Sequence, residues 1–114
     1  AIYKTQYGEV NITDDVLATI SGLAATECYG LVGMASKNAK DGLVELLKRE
    51  NLAKGVKVTT EGEEIIVDLY IVVEFGTKIS TIADNIISKV KYTVENLTGL
   101  KVKKVNINVQ GVRV

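Results

Sequence analysis

Residues 64–75 read Glu64-Ile65-Ile66-Val67-Asp68-Leu69-Tyr70-Ile71-Val72-Val73-Glu74-Phe75. Ile65, Val67, Leu69, Ile71, Val73 and Phe75 fall at every second position, so one face of an extended strand carries them all and belongs in a core. Asp68, Tyr70 and Glu74 fall on the other face, which is therefore wetter. Upstream, Gly55 opens a strand over residues 56–60, and Glu61-Gly62-Glu63 makes the turn of an antiparallel hairpin. Downstream, Gly76 ends the strand and Thr77 or Ser80 caps a helix over residues 80–98. The stripe of that helix, Ile82, Ala83, Ile86, Val90, Val94 and Leu97, has a period near 3.6. Gly99 reads as its C-cap, with Leu100 folding back on the last turn. A final strand over residues 102–109 turns Val105, Ile107 and Val109 inward and Asn106, Asn108 and Gln110 outward, with Gly111 at a bulge or at the strand's end. A strand, helix, strand crossover is right-handed, and parallel if both strands share a sheet.

Toward the N-terminus a first strand covers residues 7–12, with Val10 and Ile12 on one face. Thr13 is placed to cap the next helix, and Asp14 and Asp15 suit its positive end. Val16, Leu17, Ile20, Leu23 and Ala24 form its stripe, and it ends near Cys28. Residues 30–36 read as an apolar, glycine-bounded loop, and a short helix over residues 41–50 turns Leu43, Leu46 and Leu47 inward. The expected fold class is α+β, in the order β-α-α-β-β-α-β, with a small mixed sheet and the helices packed on one face. The 114 residues suit a single domain over 1–114, with no linker and no internal repeat.

Fourteen basic and fourteen acidic residues cancel, so no global field draws this chain to nucleic acid or to an anionic membrane. The one cysteine cannot make an internal disulfide. The first residues lack the apolar core of a signal peptide, and no apolar run reaches the roughly 20 residues of a membrane helix. The expectation is a cytoplasmic protein with no direct membrane insertion.

The absence of histidine removes the commonest general base and metal ligand. Cys28 without a histidine lacks the usual activating partner and reads as a small buried residue, with a reactive thiol as the alternative. Asp14 and Asp15 belong to a helix start, and Glu61, Glu63 and Glu64 to a solvated turn without the spaced ligands of a calcium loop. No catalytic residue, metal ligand or cofactor is expected, and the chain reads as a non-enzyme. Gly30-Leu31-Val32-Gly33 between two helices resembles the GXXG loop of KH domains, which clamps a nucleic-acid backbone. Leu31 and Val32 bring no charge to such a clamp, although Lys37 and Lys40 lie just beyond it. Lys101, Lys103 and Lys104, with Lys89 and Lys91, read as a solvated face with edge-strand protection; an anionic partner is the functional option. The candidate interaction surface is Gly30, Leu31, Val32, Gly33 and Met34 of the apolar segment together with Tyr70, Asn106, Asn108 and Gln110 of the wetter sheet face.

Four separated segments carry a family resemblance: residues 7–12 (Tyr7-Gly8-Glu9-Val10-Asn11-Ile12), 28–34 (Cys28-Tyr29-Gly30-Leu31-Val32-Gly33-Met34), 92–102 and 105–112. They resemble the alkaline shock proteins of Gram-positive bacteria, also called general or envelope stress response proteins. Residues 34–38 and 76–80 are similar to the housekeeping branch, often encoded beside a fatty-acid kinase-like protein. The resemblance implies no catalytic residues, a cytoplasmic protein held near the membrane by an anchoring partner, and a role in envelope or lipid homeostasis. Residues and resemblance together lead to a non-enzymatic protein-interaction module that associates with protein partners and with itself. Two alternatives stand beside it: a KH-like binder of single-stranded nucleic acid, and a carrier or sensor of an acyl ligand in a pocket lined by Leu31, Ile71 and Ile86.

Overall fold

The computed structural model describes residues 1–38 and 45–114. Its elements are β1 (Ile2–Thr5), β2 (Gly8–Asn11), α1 (Asp14–Thr26), β3 (Leu31–Met34), a 3-10 helix (Arg49–Gly55), β4 (Val56–Glu61), β5 (Glu64–Glu74), α2 (Ile79–Thr98) and β6 (Lys101–Arg113). The fold is α+β with a mixed four-stranded sheet, as the sequence indicates.

β5 is the central strand. β6 runs parallel to it along its whole length, from Glu64↔Lys101 to Glu74↔Arg113. A strand has two edges, so β4 and β3 share the other one end to end: β4 pairs antiparallel from Val56↔Leu69 to Glu61↔Glu64, and β3 through Leu31↔Val73 and Met34↔Ile71. Ile65, Val67, Leu69, Ile71 and Val73 are all buried at 1% exposure or less, and Ile82, Ile86, Val90 and Val94 of α2 are buried with them. At roughly 25 cal/mol per Å² of apolar surface, this face is the main source of stability. α1 packs on α2 and on the 3-10 helix. A Cβ on Gly22 would lie 3.1 Å from Leu52 Cβ, so that glycine lets α1 and the 3-10 helix come together.

Local chemistry sets the element ends. Thr13 Oγ1 accepts a hydrogen bond from Val16 N at 3.2 Å, the expected N-cap. Gly99 closes α2 in the left-handed region at φ 77°, and Leu100 is buried against the last turn. The start of α2 differs from expectation. Lys78 is its N-cap residue, with no side-chain cap, and Thr77 instead donates its hydroxyl to the Glu74 carbonyl.

Several other expectations are corrected. The single strand over residues 7–12 is the second half of a hairpin, with Ile2↔Asn11 and Thr5↔Gly8 as its end pairs. Residues 31–34 are not loop but β3, because their amides and carbonyls have an open stretch of β5 to pair with. Residues 45–48 are not helical: Ala35 bridges Leu46, Leu47 N donates to Met34 O at 2.8 Å, and the helical turns come later, as the 3-10 helix. Residues 41–44 of the expected helix, Leu43 among them, lie outside the described residues. Phe75, Leu97 and Val16 are exposed rather than inward. Phe75 sits just past the end of β5, and the stripe of α2 runs out before Leu97, where the helix passes the end of the sheet.

Candidate interaction surface

The two faces of the sheet differ. The helices cover the face of Ile65, Val67 and Leu69, and the opposite face carries Lys57, Thr59, Ile66, Asp68, Tyr70, Lys104, Asn106 and Asn108. Ile66, Asp68, Tyr70 and Asn108 are half-buried there and Asn106 is exposed. No helix among the described residues packs over them. Both asparagine side chains bond within the sheet: Asn106 Nδ2 donates to Asp68 Oδ1 at 2.9 Å and Asn108 Nδ2 to Leu69 O at 3.3 Å. Opposite charges sit in neighbouring register, Lys57 beside Asp68 and Glu64 beside Lys101.

Tyr70, Asn106 and Asn108 thus share one open face, and Gln110 leaves the row. The register of β6 steps from Ile71↔Val109 to Val72↔Gly111, so Gln110 is the extra residue of a bulge. A second bulge at Lys103 brings Val102 and Val105, three residues apart, onto the helix side, where both are buried.

The glycine segment is on the far edge of the sheet from β6. Gly30 and Met34 are buried, Met34 fully, and offer nothing to a partner; they are struck from the candidate surface because Gly30, just before β3, lies against Ile82 of α2 and Met34 is on the helix side of β3. Leu31, Val32 and Gly33 are half-buried. Leu46 closes over Gly33, where a Cβ would lie 3.0 Å from Leu46 Cδ2. The arrangement is a strand, so the helix-flanked GXXG loop that suggested a KH clamp is not formed. Two of the basic side chains have acidic partners, Lys103 with Glu61 at 3.3 Å and Lys89 with Glu27 at 3.2 Å.

Cys28 is half-buried after α1. Burial pushes its thiol above the ordinary value; Lys89 pulls it down and Glu27 adds to the rise. A nucleophilic thiol needs the opposite shift. Among the described residues no group of three His, Cys, Asp or Glu is placed to hold a metal ion, and no buried polar side-chain atom lacks a hydrogen-bond partner. An open cleft of about 1060 Å³ lies between the N-terminal hairpin and the β4–β5 turn, lined by residues 1–4, 60–64 and 99–101. Leu31, Ile71 and Ile86 line neither that cleft nor the smaller one beside Asp14 and Lys57, and Ile71 and Ile86 are fully buried in the core.

Sequence reasoning missed one polar contact that shapes this surface. Glu95 of α2 accepts a hydrogen bond from Val102 N at 2.9 Å, so a carboxylate caps the first turned-out amide of β6. The signal was present as the helical row Ala83, Ile87, Lys91, Glu95, but nothing local says which element that row meets.

The profile of the alkaline shock protein family, described as having a "cell envelope-related function", matches residues 3–114. The chain belongs to the alkaline shock protein family. It is the family that the four sequence segments resemble. "Uncharacterized protein YloU" of Bacillus subtilis is 56% identical over 112 residues, which is 97% of this chain and 93% of that protein. A "Stress response regulator gls24 homolog" of Streptococcus pyogenes is 35% identical over 109 residues, 93% of this chain and 59% of that protein. The zinc form of a MamM CTD variant has a similar fold, with a TM-score of 0.53 over 88% of this chain and 87% of that one; at 12% identity the likeness concerns the fold alone. The alkaline shock family is thus tied to the envelope by its description and one of its members to stress by its name, and no helix among the described residues of this chain is long and apolar enough to cross a membrane.

Proposed function

We propose that this chain serves the cell envelope as a non-enzymatic protein-interaction module that associates with protein partners and with itself, through the uncovered face and the free edge of its sheet. The observation that carries this reading is the half-buried group Ile66, Tyr70 and Asn108, which lies on and beside the strand at the centre of the fold yet has no layer of described residues over it. An aromatic ring flanked by amides, with opposite charges in neighbouring register, suits a protein surface. Cys28, the chain's one thiol, is shifted away from reactivity, which supports a role in presentation rather than catalysis. The family resemblance adds a membrane-anchoring protein to the partners.

The test is photo-crosslinking in living cells, with the reactive amino acid at Tyr70 in one strain and at the exposed Ser88 of α2 in another. Protein adducts are expected from position 70 and not from position 88. Equal yields from both, or none from 70, would remove the sheet face from the proposal. Turnover of a substrate, lost on changing one polar side chain that leaves the fold intact, would remove the proposal itself.

A further inference from the structure

The free edge of β6 is not uniform. Its first part is protected: Glu95 occupies the amide of Val102, a bulge sits at Lys103, and Lys101, Lys103 and Lys104 carry charge along it. Charges and bulges of this kind are how edge strands avoid pairing. From Val105 to Val112 the strand has no charged residue, and among the described residues nothing pairs with its outer edge. At ~3.3 Å per residue this leaves roughly 25 Å of open edge.

The helix side of the same stretch is apolar and progressively uncovered. Along β6 the inward residues run Val102 1%, Val105 7%, then half-buried Ile107, Val109 36% and Val112 49%, while their β5 neighbours Ile65, Val67, Leu69, Ile71 and Val73 stay at 1% or less. α2 therefore draws away from β6 toward the strand's end. The flank of α2 facing this gap is fixed by the Glu95 contact: Ala83 and Ile87 lie on the row that ends in Glu95, and both are half-buried. An apolar strip of Ile107, Val109 and Val112, with Ala83 and Ile87 behind it, thus borders the open edge on one face, and Asn106 and Asn108 border it on the other.

We infer that a second copy of this chain pairs here, β6 to β6 antiparallel about a twofold axis, joining two sheets into one. This rests on the proposed reading as an interaction module and names the surface of its self-association. The surface is self-complementary. A twofold axis normal to the sheet keeps its faces; with Gln110 bulged out, pairing across 105–112 sets Val105 against Val112, Ile107 against Val109 and Asn108, whose amide both donates and accepts, against its own counterpart. The uncharged stretch sets the pairing window, and the lysines before it and Arg113 after it stay at the rim. A specific interface needs about 1,000 Å² in total, so the apolar helix flanks must close beside the paired strands to reach it.

Sedimentation of the wild type and of Val109→Lys over a concentration series tests the seam. Val109 is partly exposed, so its lysine can reach solvent in the monomer without disturbing the core. The wild type is expected to dimerise and the variant to dissociate at least roughly tenfold more readily, because a charge then sits in the pairing window. Mild oxidation of Asn106→Cys and Asn108→Cys, each in a Cys28→Ser background, is read alongside, with Asn85→Cys on α2 as control. Intermolecular disulfides should form much faster at 106 or 108 than at 85, and this readout decides if Val109→Lys fails to fold. A dimer indifferent to Val109→Lys, with no preference for crosslinking on β6, overturns the seam and leaves self-association standing. A monomer at every concentration overturns both.

Discussion

Gly30 shows how much a single backbone position carries. Its φ is +89°, and a Cβ there would lie 2.6 Å from Ile82 Cδ1, inside the contact between the α1–β3 turn and the first turn of α2. Gly30→Ala meets both the left-handed backbone and a core side chain, and should lower stability by about 1–3 kcal/mol in urea melts. Cys28 gives a pH dependence. Its folded-state thiol is raised above the ordinary value, chiefly by burial, so the folded state holds the proton more tightly than the unfolded chain does. The contribution is fully present below the unfolded value near 9.0 and is lost as pH rises through the folded value. Wild type minus Cys28→Ala stability should therefore be flat through neutral pH and fall in alkali, a difference that cancels the titration of Tyr and Lys common to both proteins. A difference that rises with pH would contradict the burial of this thiol.

At the scale of elements, α2 and β6 are held in register by the Glu95 carboxylate on Val102 N. Glu95→Ala leaves that amide without its partner and should cost about 1–2 kcal/mol, with faster hydrogen exchange at Val102 than at its neighbours. The elements with strong local signals were legible in the sequence. β5 announces itself by unbroken alternation, α2 by its stripe and its Gly99 cap, and the β4–β5 turn by Gly62. The illegible elements are those whose pairing partner lies far along the chain or whose burial is slight. β3 is four residues long and apolar at three of them, so alternation could not mark it, and its strand character comes from the edge of β5. The β1–β2 hairpin has eight exposed residues, so no burial pattern reveals it. The same logic divides the candidate surface. Period two places Tyr70, Asn106 and Asn108 on one open face, whereas the bulge that displaces Gln110 is a property of the pairing and has no local sequence mark beyond Gly111. Met34 has the sequence setting of an apolar loop and is core because that segment is a strand.

Over the whole molecule, covering is one-sided. Among the described residues, α1, α2 and the 3-10 helix close one face of the sheet, β4 and β3 close one edge of β5, and the far face stays open except at Val72, 4% exposed beside Gly33 under Leu46, as does the outer edge of β6. The dimensions of 52 × 26 × 21 Å describe an elongated body. Such a body offers a partner an extended surface beside the open cleft at the N-terminal hairpin, in keeping with a family tied to the envelope and with a thiol shifted away from reactivity. Two surfaces are left for partners, the open face of the sheet and the outer edge of β6 beside it, and self-association is proposed at that edge. Amide hydrogen exchange along residues 105–112, measured as protein concentration is raised, tests it most directly. Slowing of the amides that point away from β5, in step with the rise in mass, is the predicted result. Exchange of those amides at one unchanging fast rate, whatever the concentration, would contradict it.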